Sequence, residues 1–311
     1  MARPIIIDTD PGQDDAVAIL LALASPELDV LGITAVAGNV PLRLTQENAR
    51  KVCELAGRPE MKVFAGCARP LVRPLITAEE VHGATGLDGP DLPAPTTALQ
   101  SQHAVDWMVD TLMAAPDGEI TLCTLGPLTN VAAALVKEPR IVPKVRELVL
   151  MGGGFFEGGN ASPVAEFNIL VDPHAAHVVF GSGIKLTMHS LDVTHKALMT
   201  NEWIDQVRAL GTPVGTATAA MLSFYERFDM EKYGEAGGPL HDPCVIAFVL
   251  QPELFGGRHC NVRIETASDI TMGMTVVDWW GVTGLEKNCT AINEIDTAGF
   301  YALILERLAR Y

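Results

Sequence analysis

Four carboxylates fall within eight residues near the start of the chain, in the segment Asp8-Thr9-Asp10-Pro11-Gly12-Gln13-Asp14-Asp15, directly after the apolar run Ile5–Ile7. Acids packed this closely at the end of a strand repel one another unless a cation or raised pKa values relieve them. As a set they point to a hard-cation site. Singly they have plainer uses: Asp14 and Asp15 open a helix, whose dipole favours acids, and Pro11-Gly12 is an ordinary turn pair.

Further polar groups follow other apolar runs. Gly38-Asn39 comes after one, and Leu125-Gly126-Pro127-Leu128-Thr129-Asn130 follows the run ending at Thr124. Met151 is followed by three glycines and then by Phe155, Phe156, Asn160, Glu166, Phe167 and Asn168. Late in the chain stands Gly237-Gly238-Pro239-Leu240-His241-Asp242. Gly152–Gly154 is no phosphate loop, since no G-K-[ST] follows, and no G-x-G-x-x-G fingerprint follows the first strand. With carboxylates and carbonyls as donors, and neither a Cys pair nor H-E-x-x-H, the metal chemistry favours Ca²⁺ or Mg²⁺ over Zn²⁺. Asn and carboxylate side chains around such an ion suit a polyhydroxylated ligand.

The elements that must hold these groups alternate between short β-branched runs and longer helical stretches. Strands are expected over Pro4–Ile7, Leu28–Ala35, Met61–Ala65, Ile120–Thr124, Glu147–Met151 and Ile184–His189. Helices are expected over Asp14–Ala24, Leu42–Ala56, Gln102–Ala115, Pro127–Lys137 and Pro173–Phe180, the last with Asp172 as its cap. The segment 201–251 reads as mostly helical, broken by a loop at 233–239. Short strands at Cys260–Glu265 and Gly273–Val277 precede a final helix, Asp296–Arg310. This order predicts an α/β fold, an open and mostly parallel central sheet with helices on both faces. One domain over 1–311 is expected, with active-site loops around 76–92 and 223–240. In such a sheet, ligands bind outside the carboxyl ends of the strands, where the polar groups above fall.

Composition narrows the partners. The chain has 311 residues, 48% of them hydrophobic and 19% charged, which excludes a disordered protein. A net charge of −16 opposes binding to phosphate backbones or anionic lipid, leaving small neutral ligands and cations. The longest apolar run, Ala16–Ala24, is too short to span a bilayer, and the N-terminus does not read as a signal peptide. The six cysteines lie far apart without a C-x-x-C pair, consistent with a reducing cytoplasm.

The segment Asp8–Ala16, D-T-D-P-G-Q-D-D-A, resembles the N-terminal signature of the nucleoside hydrolases of the inosine–uridine-preferring group, which includes the pyrimidine ribonucleoside hydrolases. Gly38-Asn39, Thr124–Asn130, Met151–Asn168 and His241-Asp242 occur in that family's order and near its spacing, so the resemblance covers nearly the whole chain. It implies a Rossmann-like fold and hydrolysis of the N-glycosidic bond of ribonucleosides to ribose and free base, with one Ca²⁺ per subunit. Asp10, Asp15, the Thr124 carbonyl and Asp242 would hold the ion, the ribose hydroxyls and a water completing its shell. Asp10 would be the general base toward that calcium-bound water. Asp14, Asn39, Asn160, Glu166, Asn168 and the backbone at Met151 would grip the ribose and stabilise oxocarbenium-like charge.

For the leaving base, the resemblance offers His241 as the proton donor and His82 as a second candidate. Tyr233 falls where pyrimidine-preferring relatives carry a base-contacting tyrosine, but their glutamine four residues earlier is Asp229 here. Uridine or cytidine is therefore the expected substrate, with inosine possible; purine-preferring and broad specificity are the alternatives. The remaining histidines, including His195, read as structural. The family is commonly tetrameric or dimeric, so a homo-oligomer acting in cytoplasmic nucleoside catabolism or salvage is expected. Two other classes compete. A haloacid-dehalogenase-type phosphohydrolase also uses D-x-D, but Gly12 stands where that group carries Thr or Val. A ribose- or nucleoside-binding protein needs no carboxylate placed as a base.

Overall fold

The computed structural model describes residues 2–233 and 237–311, with the side chains of 228–236 outside the description. Nine strands form one sheet: β1 (Arg3–Thr9), β2 (Leu28–Ala35), β3 (Val63–Ala65), β4 (Ile120–Thr124), β5 (Val145–Met151), β6 (Leu186–His189), β7 (Phe255–Ile264), β8 (Thr275–Asp278) and β9 (Cys289–Ile295). Their spatial order is β3-β2-β1-β4-β5-β6-β9-β7-β8. From β3 through β9 every neighbouring pair is parallel, whereas β7 runs antiparallel to both β9 and β8.

Alternation along the central strands explains why both faces are covered. Ile5 and Ile7 pack into one apolar cluster with the helices Gln13–Leu23, Leu42–Leu55, Pro243–Leu250 and Thr297–Leu308. Ile6, between them, belongs to a second cluster with Ala104–Ala114, Thr129–Lys137 and Pro173–Phe180. Val149 and Met151 face the first cluster, Leu148 and Leu150 the second. Successive side chains of a strand point to opposite faces, so continuous apolar runs such as Ile5–Ile7 mark strands buried on both sides.

The strand order turns back at β1, which pairs with β2 on one side and β4 on the other. That is a topological switch point, where the loops leaving two strands diverge and open a crevice. The acid segment leaves β1 at this point, and Thr124 ends the adjoining β4.

Several elements differ from the sequence expectation. The strand expected from Met61 begins at Val63, and Cys260–Glu265 is the end of a longer strand starting at Phe255. Strand β9 and the short helices Glu79–His82 and Phe167–Val171 were not anticipated. The helical region after residue 200 is three helices: Asn201–Ala209, Pro213–Tyr233 and Pro243–Leu250. The six cysteines are free thiols. Among the described residues no helix is long and apolar enough to cross a membrane.

Candidate active site

Extended strand ends and the helix Gln13–Leu23 bring the acids together. Asp8 is still within β1 and fully buried; its Oδ1 accepts from Thr34 Oγ1 at 2.5 Å and from Asn130 Nδ2 at 2.8 Å. Two residues on, Asp10 Oδ2 accepts from the Asn39 backbone N–H at 2.7 Å, whereas Oδ1 is buried without a partner among the described residues. Its carboxylate is wedged between glycines: a Cβ on Gly38 would lie 1.9 Å from Oδ2, and one on Gly126 2.1 Å from Oδ1. Gly38 and Gly126 are therefore small for a reason that neither turn chemistry nor a positive φ supplies.

Asp15 sits at the third position of its helix. Its Oδ2 accepts from the Gly12 N–H at 2.9 Å and from Asn39 Nδ2 at 3.2 Å, and its Oδ1 accepts from the Thr9 hydroxyl. Asp242, late in the chain, stands at the N-terminus of the helix Pro243–Leu250. Carboxylate oxygens of Asp14, Asp15 and Asp242 all lie within 4.8 Å of one another. Asp10 is not in that trio, but its charge acts on Asp242 and is acted on by Asp15. Burial, reinforced by repulsion from Asp15, raises the Asp14 carboxyl to about 8 and holds Asp10 well above the usual carboxylate range. Burial and the neighbouring Asp14 charge do the same to Asp242. A cation in this cluster relieves both the repulsion and the desolvation.

A cleft of about 860 Å³, its open solvent included, lies above the acids. Its wall carries Asp14, Asn39, His82, Met151, Asn160, Glu166, Asn168, His241 and Asp242. Asp10, Asp15 and Thr124 are buried next to it rather than on its surface. Glu166 caps the helix Phe167–Val171: Oε1 accepts from the Asn168 N–H at 2.9 Å, and Oε2 from the N–H groups of Gly153 at 2.9 Å and Ile169 at 3.3 Å. Gly153 reaches that position with φ +81°, a conformation that favours glycine. Burial lifts the Glu166 carboxyl to about 7 against these three donors. Asn168 Nδ2 donates to the Leu125 carbonyl at 2.7 Å, and Asn160 Oδ1 accepts from the Phe167 N–H at 2.9 Å.

The loop carrying Asn160 is fastened by a residue that sequence reading passed over. Asp192 accepts from three consecutive backbone N–H groups, Phe155 at 2.9 Å, Phe156 at 2.8 Å and Glu157 at 3.1 Å. His195, read as structural, lines the cleft with its ring 5.9 Å from that of His241. Tyr225 and Phe167 reach the cleft as well, whereas Phe155 and Phe156 pack on Trp279. The side chains of Phe228, Asp229 and Tyr233 lie outside the described residues.

Three imidazoles, those of His82, His195 and His241, line the cleft. Burial pushes His82 down to about 4 and His241 to about 3, so both are neutral near pH 7. The arrangement places buried carboxylates, amide groups and two uncharged imidazoles around one ligand-sized space. That set can bind a cation, hold a polyol and stabilise positive charge on a ring.

Comparison with known proteins extends this picture. The family model for inosine-uridine preferring nucleoside hydrolases matches residues 5–302. An uncharacterized protein of Schizosaccharomyces pombe is 50% identical over 98% of this chain and 99% of its own length. The pyrimidine-specific ribonucleoside hydrolase RihA of Photobacterium profundum is 47% identical over 100% of both chains. Among solved structures, the purine-preferring ribonucleoside hydrolase from Gardnerella vaginalis superposes with a TM-score of 0.92 at 32% identity, covering 99% of this chain and 98% of that one. With the match running from the first strand to the last helix, this chain belongs to the inosine-uridine preferring nucleoside hydrolase family.

Proposed function

We propose that this chain hydrolyses the N-glycosidic bond of pyrimidine ribonucleosides, uridine and cytidine, to ribose and free base, with one Ca²⁺ bound at the acid cluster. The observation that carries the reading is the trio Asp14, Asp15 and Asp242 beside Asp10 Oδ1, which is unpartnered among the described residues, under a cleft walled by Asn39, Glu166 and Asn168. An all-oxygen donor set fits a hard cation. Asp10, Asp15, Asp242 and the Thr124 carbonyl would hold it. When bound, the ion supplies positive charge that acidifies water and orients ribose hydroxyls.

The chain's own groups account for the rest. Asp10 Oδ2 is taken by the Asn39 N–H, leaving Oδ1 as the atom that receives a proton from the attacking water. Asp14, Asn39, Asn160, Glu166, Asn168 and the Met151 backbone bind the ribose. The Glu166 carboxylate stabilises positive charge growing at the anomeric carbon, since its three N–H donors already orient it. His241 attends the leaving base. Identity of 47% to proteins named pyrimidine-specific, against 32% to a purine-preferring one, supports the pyrimidine preference. A dimer or tetramer working in cytoplasmic nucleoside catabolism or salvage accompanies this reading.

The test is reducing-sugar release from uridine, cytidine, inosine, adenosine and 2′-deoxyuridine. Fast release from uridine or cytidine and little from the deoxynucleoside is expected. Faster release from inosine overturns the pyrimidine preference. No ribose from any of them, with Ca²⁺ verified in the protein by atomic emission, overturns the hydrolase assignment.

A further inference from the structure

Gln13 stands between Gly12 and the acid pair and is fully buried, yet the acid chemistry makes no use of it. Its amide reaches across to the segment that carries His82. Nε2 donates to the backbone carbonyls of His82 and Asp88, both at 3.0 Å, and Oε1 lies 2.7 Å from His82 Nδ1. Carbonyls only accept, so the amide nitrogen must face them and the amide oxygen must face the ring. That oxygen also only accepts. His82 Nδ1 therefore carries the hydrogen, and in a neutral ring Nε2 is left with the lone pair.

The surroundings fix the ring as well as its tautomer. A Cβ on Gly12 would lie 2.4 Å from Nδ1 and 2.6 Å from Cε1, so that edge is against backbone. Tyr225 stacks on the ring at 5.6 Å. Nε2 has no protein partner among the described residues, and His82 lines the cleft.

We propose that Gln13 locks His82 as a hydrogen-bond acceptor toward the cleft, so that His82 recognises an N–H on the base rather than giving it a proton. The inference rests on the ribonucleoside hydrolase reading. It names the ligand feature: an in-plane N–H on the base, N3–H in uracil or the exocyclic amine in cytosine. Gln13 acts through His82 and is a positioning residue. Proton supply to the leaving base then falls to another group, and His241 and His195 are the other imidazoles on the cleft wall.

Two measurements on the full-length protein decide it. Long-range ¹H–¹⁵N spectra at neutral pH, with His82 assigned by its loss in His82→Gln, should show the Nδ1–H tautomer, and Gln13→Leu should allow the tautomers to mix. An Nε2–H ring or an imidazolium in the wild type overturns the inference. In kinetics, the wild type should prefer uridine over 3-methyluridine by roughly ten-fold or more in kcat/KM, as expected where a buried hydrogen bond is lost. His82→Ala should raise KM for uridine and bring that ratio close to one. A fall in kcat with KM and the ratio unchanged overturns it. Wild-type protein inert toward every ribonucleoside removes the functional reading instead, and the spectra then decide the tautomer alone.

Discussion

His241 Nδ1 lies 2.7 Å from Thr194 Oγ1, which ties the imidazole next to Asp242 to the turn that follows β6. Thr194 is fully buried and its backbone is held by the Ser190 carbonyl at 3.0 Å, so the ring hangs from a rigid support. Thr194→Val keeps the volume and removes this bond. It should lower kcat for uridine roughly ten-fold, the size of one hydrogen bond, with KM little changed. A p-nitrophenyl riboside, whose leaving group needs no proton, should lose far less. Equal losses on both substrates would mean that Thr194 only supports the fold.

Gly38→Ala and Gly126→Ala should each displace the Asp10 carboxylate, because the new methyl would overlap Oδ2 or Oδ1. We expect kcat to fall by roughly a hundred-fold or more, since misplacing a catalytic group by about 1 Å has costs of that order. Circular dichroism should show the sheet intact. Near-normal turnover in either variant would argue against Asp10 as the base.

The pH dependence of stability follows from three raised carboxyls. Asp8 is raised to about 7, Asp14 to about 8 and Glu166 to about 7, with burial the largest cause in each. Their unfolded values are near 4, so across the interval between, the native state holds more protons than the unfolded chain. Stability then falls as pH rises from about 4 to about 8. Chelator-treated protein should show a melting temperature that drops steadily over pH 5–8.5. Added Ca²⁺ should flatten the upper part of that slope by favouring the ionised Asp14. An apo-protein melting curve that rises with pH would contradict the raised values.

Asp192→Asn puts an amide NH₂ against N–H donors whichever way it is turned. One carboxylate oxygen accepts from Phe156 and Glu157, the other from Phe155 and the Ser190 hydroxyl. A loss of about 1–3 kcal/mol in stability is expected by calorimetry, with a raised KM because the loop leads to Asn160. Unchanged KM would separate the loop from ribose binding.

The acid segment was legible because its parts are local. Asp8 to Asp15 occupy one strand end and one helix start, and the rule that ligands sit beyond parallel strand ends led to Asn39, Glu166 and Asn168 without any contact being known. What escaped depends on pairing across long distances. Gln13 reads as the filler of a motif until His82, 69 residues away, is seen against it. Asp192 looks like any acid in a short helical turn, and only the folded loop shows three amides converging on it. His195 read as structural because a lone histidine gives no sign of the cleft beside it. Strand β9, Cys-Thr-Ala-Ile-Asn-Glu-Ile, has the needed alternation at its start but ends in polar residues, and its place between β6 and β7 is set by tertiary pairing.

The acid trio joins distant parts of the chain: Asp14 and Asp15 follow the first strand, while Asp242 comes only after strands β2 to β6 and the helices between them. Contacts between residues so distant in sequence form late, because the intervening loop must be closed first. A cation held by the trio would be captured only after these contacts have formed. A calcium-sensitive signal should trail the recovery of helix content after dilution from denaturant, and a chain emerging from the ribosome can assemble the trio only once Asp242 has been made.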